Sequence, residues 1–134
     1  MGRAVRATMV IDGLEVAAGS VVKAGDLVGF SAGKLVPAVG ASGFYTPARG
    51  VALTSGRAGE KVAMALRGEV AGLSGLPQRG GAVYVSENVG GGISGSEPAS
   101  GGSWSQRVGW TADGEAAGGG TRVVVTFQDD GAEV

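Results

Sequence analysis

Glycine interrupts this sequence throughout and divides its apolar residues into short runs. It occupies 28 of the 134 positions, far above the average usage of roughly 7%. These glycines lack the three-residue period of collagen, so a triple helix is excluded. Short apolar runs lie between them, and the helical period is nearly absent. The sequence therefore predicts an all-β fold, a small antiparallel β-sandwich or barrel built from many short strands.

The turns between the apolar runs indicate how these strands connect. Ala32-Gly33 predicts a hairpin that joins strands over 27–31 and 34–39, and Asp12-Gly13 predicts a turn after a first strand or arm. Further strands are expected over 44–54, 60–70, 82–86, around Ile93, over 104–111 and over 121–127. A helical turn is expected only over 71–76, where Pro77 would close it.

A weak internal duplication organises these segments. GDLVGFSAGKL followed by ARGVALTSGRAGEKVAMAL in the first half matches GAVYVSENVGGGI followed by QRVGWTADGEAAGGGTRVVVTF in the second. The match aligns Val28 with Val83, Ser31 with Ser86, Gly50 with Gly109 and Val62 with Val123. Two interpretations stay open: a repeated supersecondary unit in a pseudo-symmetric sheet, or two hairpin pairs that are alike only in composition.

Length and composition predict one domain that depends on partners. Residues 1–16 are expected to form an N-terminal arm or edge strand, 17–128 a single β domain, and 129–134 a flexible acidic tail. Aromatic residues make up 5% of the chain, so the core is expected to consist mainly of Val and Ala. Ordering many glycines has a large entropic cost. Burial against a partner would offset the resulting marginal stability of a monomer.

Several classes of function are disfavoured by what the sequence contains. The formal net charge is −1, which gives no basic field for nucleic acid. The chain has no His and no Cys, which excludes Ser-His-Asp and Cys-His catalysis and zinc sites built on those ligands. No apolar stretch has the length of a membrane span or signal peptide. We therefore expect a soluble intracellular protein with no enzymatic activity, metal, cofactor, nucleic acid or membrane partner.

The remaining polar motifs are interpreted as structural. Asp129-Asp130 is expected to be solvated, and Asp26 to close a tight turn by accepting backbone N–H bonds. The glycines and lysine of 56–61 lack a P-loop ending and precede a strand, which favours a hairpin turn. Trp104 and Trp110 would share one face of a single strand, because side chains alternate along a strand. The two indoles would fill the core, anchor a protein interface or form a platform for sugars.

Five short motifs occur in an order that resembles a known family. They are Gly25 to Val28, Gly50 to Ala52, Ala58 to Val62, Gly68 to Val70 and Val83 to Ser86. From about Val21 to Phe127 the chain resembles small phage capsid decoration (cement, or head-stabilising) proteins with a β-tulip-like fold. A biotinyl or lipoyl domain is disfavoured, because Met64 is followed by Ala65 where that family needs its attachment lysine.

The resemblance implies a structural virion protein on the capsid exterior, made in the host cytoplasm. Its expected partners are the major capsid protein and itself as a homotrimer, and it would stabilise the shell against internal DNA pressure. Its extended N-terminal arm would lace onto a neighbouring subunit. The residues expected at capsid or subunit interfaces are Arg3, Val5, Arg6, Met9, Ile11, Trp104 and Trp110. The alternative function is a carbohydrate-binding module of a phage tail or fibre.

Overall fold

The computed structural model describes residues 3–41, 44–73, 80–99, 101–112, 121–127 and 131–133. All regular elements in these ranges are β-strands, and every pair of strands is antiparallel. The strands are β1 (Arg3–Glu15), β2 (Val21–Val22), β3 (Leu27–Ser31), β4 (Lys34–Pro37), β5 (Val39–Ala41), β6 (Phe44–Thr46), β7 (Gly50–Ala52), β8 (Gly56–Arg57), β9 (Lys61–Leu73), β10 (Ala82–Val85), β11 (Ile93–Ser94), β12 (Trp104–Ser105), β13 (Arg107–Thr111), β14 (Thr121–Thr126) and β15 (Ala132–Glu133). The predicted all-β antiparallel fold is confirmed.

One main sheet organises the described residues, with strand order β11-β10-β13-β14-β9-β7-β3-β4. The long strand β9 lies between its two halves. One edge of β9 pairs with β7 near its beginning and with β14 near its end, while the other edge pairs with β1 along most of its length. Three two-stranded sheets, β2-β8, β5-β6 and β12-β15, accompany the main sheet.

The sheet is buried on both faces where the first half curls. Leu27 and Val28 are neighbours on β3 and point to opposite faces, yet both are fully buried, each in a different apolar cluster. An isolated bridge between Val16 and Leu35 brings the chain after β1 against β4. The first half of the sheet therefore closes around its own small core, and the second core lies between the two halves.

The two halves contain the same unit of five strand segments. In the first, the order is β4-β3-β7, the beginning of β9, then the end of β1. In the second, it is β11-β10-β13-β14, then the end of β9. Along the chain, the first unit begins on β1 and ends on β9, and these two strands pair with each other. The second unit begins on β9 and ends on β14, which also pair, so β9 serves both units and is the closing strand of the first, as β14 is of the second.

The strand registers of the two units agree where β3 pairs with β7 and β10 begins to pair with β13. In the first, Val28 pairs with Gly50, and in the second, Val83 pairs with Gly109. These are the residues that the sequence alignment made equivalent. Gly50 and Gly109 are also alike in what surrounds them, because an added side chain at either position would overlap the closing strand of its unit. The structure favours a repeated unit over a likeness of composition alone.

Backbone hydrogen bonds repeat as well. The N–H of Gly25 donates to the carbonyl of Ala52 at 2.8 Å, and the N–H of Gly80 donates to the carbonyl of Thr111 at 2.7 Å. Both glycines have positive φ, 93° and 85° respectively, a conformation that other residues rarely adopt. The turns into β3 and β10 therefore share a glycine of positive φ and an equivalent backbone hydrogen bond.

The closing strands correct the sequence alignment by a small shift. Ala52 pairs with Met64 in the first unit, and Thr111 pairs with Val123 in the second. Val123 therefore corresponds to Met64, and its predicted alignment with Val62 is wrong.

A β-bulge occupies the same position in both units. The ladder between β1 and β9 shifts register between Ile11 and Leu14, and the ladder between β9 and β14 shifts opposite Val70 and Leu73. Bulges increase the local twist of a strand, so these two help each unit to curl.

The bulge corrects the turn predicted at Asp12-Gly13. β1 continues through both residues to Glu15. Gly13 has a φ of 72°, and its N–H donates to the Asp12 carboxylate at 2.7 Å. Asp-Gly supplies the same positive-φ geometry to a bulge as to a tight turn, which is why the sequence alone suggested a turn.

Two other segments differ from expectation. Residues 71–73 of the expected helical turn belong to β9, and 74–76 lie outside the described residues. Ala132–Glu133, in the expected acidic tail, pairs with Trp104–Ser105. Asp129-Asp130 lies outside the described residues.

Candidate protein interface

The exposed apolar edge of β1 is the most distinctive surface feature of the described chain. Met9, Val10 and Ile11 expose 65%, 51% and 41% of their surface. Met9 has a φ of 57° and departs from extended geometry, so alternation between faces applies to its neighbours Val10 and Ile11. Both of these are exposed, so neither face is covered at this point. Apolar groups held in water on both faces have a cost that a partner would remove.

The backbone edge of β1 is open where these side chains are exposed. One edge pairs with β9 from Arg3 to Glu15, and no other described strand pairs with β1. An edge strand presents a row of unpaired N–H and C=O groups on which another strand can form a ladder. The β1 edge, defined here as residues 3–15, therefore combines hydrogen-bonding groups with apolar surface.

Ion pairs anchor the C-terminal end of the β1 edge. The Glu15 carboxylate accepts a hydrogen bond from Lys34 Nζ at 2.7 Å and lies 3.6 Å from Lys61 Nζ. The Lys34 hydrogen bond and charge, with a smaller contribution from Lys61, lower the pKa of Glu15. These contacts hold the end of β1 against β4 and β9.

Trp110 lies on the outer face of the sheet, three strands from β1. It exposes 43% of its surface and pairs with Val124, which in turn pairs with Glu69. On the other edge of β9, Glu69 pairs with Arg6 of β1. Directly opposed residues share a sheet face, so this row connects Trp110 to the β1 edge across four strands.

Trp104 lies in a different environment, which corrects the prediction that both indoles share one strand. The expected strand over 104–111 divides at Gln106 into β12 and β13. Trp104 is partly buried and stacks on Tyr45, with ring centroids 4.5 Å apart and planes 1° from parallel. Trp104 and Trp110 therefore do not form one platform.

Gln106 causes this division, and sequence reasoning did not single it out. Its side chain is fully buried. Gln106 Oε1 accepts a hydrogen bond from Ala48 N–H at 2.7 Å, and Nε2 donates to the Ala48 carbonyl at 3.0 Å. The side-chain amide thus forms the two backbone hydrogen bonds that a neighbouring strand would otherwise form with Ala48. A Gln inside an apolar, strand-like run was the available sequence signal, because buried amides need partners.

The structure brings together only part of the predicted interface. Arg3, Val5, Arg6, Met9 and Ile11 all belong to β1. Trp110 is connected to Arg6 by the register partners Val124 and Glu69, whereas Trp104 packs on Tyr45 in another part of the molecule. The sequence also named neighbouring Val10 among the apolar arm residues, and half of its surface is exposed.

Asp26 has the structural role that the sequence indicated. Its carboxylate accepts the Lys23 N–H at 2.9 Å, and its own N–H donates to the Lys23 carbonyl at 3.0 Å. Burial raises the pKa of Asp26, and the hydrogen bond from Lys23 opposes that shift. The carboxylate closes the turn into β3.

The loop over 55–60 also has a structural role. Gly56 and Arg57 pair with β2, and the Glu60 carboxylate accepts the Arg57 N–H at 2.6 Å. An open depression of about 390 Å³ lies beside this loop, lined by residues of 21–23 and 55–57 and by Glu60.

Within the described residues, no three His, Cys, Asp or Glu side chains lie close enough together to hold a metal ion. Among those residues there is also no helix of the length and apolar character needed to cross a membrane.

The chain is a small all-β protein in which one edge of β1 is open among the described strands. No family model matches the chain, and no curated protein matches its sequence.

Proposed function

We propose that this chain is a non-enzymatic structural protein that self-associates and binds the outer surface of a phage capsid, stabilising the shell against internal DNA pressure. The observation that carries the proposal is the β1 edge. It offers thirteen residues of strand, with one backbone edge open among the described strands and three exposed apolar side chains.

Strand addition is the mode of binding that this surface supports. An extended segment of a neighbouring protein would extend the main sheet through backbone hydrogen bonds. Full burial of an apolar side chain contributes about 1.5–3 kcal/mol. Met9, Val10 and Ile11 are already partly covered, so each would contribute about 1 kcal/mol on that scale. Single contacts would thus be weak, and many copies on one shell would bind through avidity.

Trp110 supplies a second anchor for this function. Tryptophan is enriched at the energetic centres of protein interfaces, and Trp110 is exposed on a strand in which both of its sequence neighbours are buried. The resemblance to decoration proteins implies a trimer with the major capsid protein as partner. A trimer whose subunits use both the β1 edge and Trp110 is compatible with these contacts.

Co-sedimentation tests the proposal. The purified chain would be mixed with undecorated heads of the phage that encodes it, and the bound fraction measured against concentration. We expect saturable binding and decorated heads that withstand higher temperature or more chelator than bare heads. A chain that stays in the supernatant at every concentration, and leaves head stability unchanged, would contradict the proposal.

A further inference from the structure

The internal repeat shows how an edge like that of β1 is covered. In the second unit the end of β9 is the first strand, and its outer edge is covered by residues 3–8 of β1. In the first unit the corresponding strand is the end of β1. Its outer edge is paired with no described strand. One of two equivalent edges is therefore covered and the other is open.

The register identifies the strand that fits the open edge. Arg67 pairs with Thr126 on one side and with Thr8 on the other. In the first unit, Thr8 of the first strand pairs with Arg67 of the closing strand. In the second unit, Arg67 of the first strand pairs with Thr126 of the closing strand. Thr8 and Arg67 therefore occupy equivalent positions in the two units. The residue that covers Arg67 is Thr8 itself, so repetition of the same pairing would place another Thr8 opposite Thr8.

We propose that two copies of this chain pair antiparallel along their β1 edges, with Thr8 of one copy opposite Thr8 of the other. The contact is symmetric, because antiparallel pairing of identical segments generates a two-fold axis. The inference names a second copy as the neighbouring protein that occupies the β1 edge, which leaves Trp110 as the anchor for a shell. It holds whether or not the chain binds a shell.

Charge and apolar character support a second copy as the occupant. Within the chain, Arg3 is opposite Ala71, and the position that corresponds to Ala71 in the first unit is Asp12. The proposed register therefore places Arg3 opposite Asp12 of the second copy, and the pair occurs twice. Opposite charges across a ladder are stabilising.

The same register brings the exposed apolar residues to the centre of the contact. Met9 lies opposite Ala7 of the second copy, and Val10 lies opposite Arg6. Met9 and Val10 expose more than half of their surface in the single chain. Residues close to the two-fold axis are each used twice, so burial of this short run gives a double contribution.

A cysteine scan tests the register directly, because the chain has no cysteine of its own. Opposed residues in antiparallel strands have Cα atoms about 4.5–5.5 Å apart, within the range of about 4.4–6.8 Å that a disulfide spans. Thr8→Cys should form a cross-linked dimer under mild oxidation. In Ile11→Cys the two thiols would be about 20 Å apart at roughly 3.3 Å per residue, so it serves as the control within the strand.

We expect the dimer band of Thr8→Cys, on non-reducing gels, to form at least tenfold faster than that of Ile11→Cys. Val21→Cys, on an exposed residue of β2, should match the slow control. Equal rates for Thr8→Cys and Ile11→Cys would overturn the register, as would cross-linking of Ile11→Cys alone.

A charge substitution tests the contact without a new covalent bond. Val10→Lys places a lysine opposite Arg6 of the second copy and should raise the dimer dissociation constant, measured by sedimentation equilibrium, at least tenfold. Val21→Lys, the same change at a residue that is 55% exposed on β2, should leave it unchanged.

The two proposals fail separately. A wild-type trimer whose Thr8→Cys variant does not cross-link would overturn the paired edges and leave capsid binding intact. A cross-linked dimer that never sediments with heads would support the paired edges and contradict the capsid function.

Discussion

Replacement of Gln106 by methionine tests the polar contact that divides the tryptophan segment. Methionine has a similar length but cannot form the two hydrogen bonds to Ala48. Each buried backbone group left without a partner costs about 1–3 kcal/mol. Burial of methionine is more favourable than burial of an amide and recovers part of that. We expect Gln106→Met to lower the free energy of unfolding by about 2–4 kcal/mol.

Equilibrium urea unfolding, followed by tryptophan fluorescence, measures this change. For a chain of this size the dependence on urea is about 1–3 kcal/mol per molar, so at a value of about 2 the midpoint should fall by roughly 1–2 M. Asn88→Met changes an exposed amide in a loop and should leave the midpoint within about 0.3 M, the range of surface substitutions. A Gln106→Met midpoint as close to wild type as the control would refute the role assigned to the amide.

Three further predictions follow from the same contacts. Gly109→Ala places a Cβ on the Val124 carbonyl and should cost about 3 kcal/mol or more in urea unfolding, whereas Gly101→Ala, with open space around it, should be neutral. Asp26 has a pKa raised by burial, so its contribution to stability is present below its unfolded pKa and falls as pH rises through the folded value. Asp26→Asn should therefore raise the melting temperature more at pH 7 than at pH 3, and an equal effect at both would contradict this. Trp110→Ala should weaken head binding at least tenfold with little loss of stability, while Phe30→Ala, an exposed aromatic on β3, should bind as wild type; equal binding by both variants would remove Trp110 from the interface.

The strand content and the hairpin across Ala32-Gly33 could be predicted because they depend on local signals. Glycine turns and runs of Val act within a few residues, and β3 pairs with β4 where those signals placed the hairpin. The duplication was also visible, since Val28 and Gly50 have the same residue type as Val83 and Gly109, their equivalents in the second half. Its alignment in the closing strands was not, because valines recur there at neighbouring positions.

The candidate interface could not be predicted from local sequence patterns, because it depends on which strands pair. The N-terminal residues read equally well as an arm or as an edge strand, and only their register with β9 shows which edge remains open. Period-two alternation placed Trp104 and Trp110 on one face, but the buried amide of Gln106 breaks that strand. Local patterns describe strands, whereas the exposure of an edge is decided by residues far along the chain.

Cryo-electron microscopy of heads with and without the added chain measures the central claim most directly. The account predicts difference density of about the size of this chain at repeated lattice positions on the outer surface. In that density, the strand β1 should lie against another protein chain. Identical maps at saturating concentrations of the chain, or density only inside the shell, would contradict it.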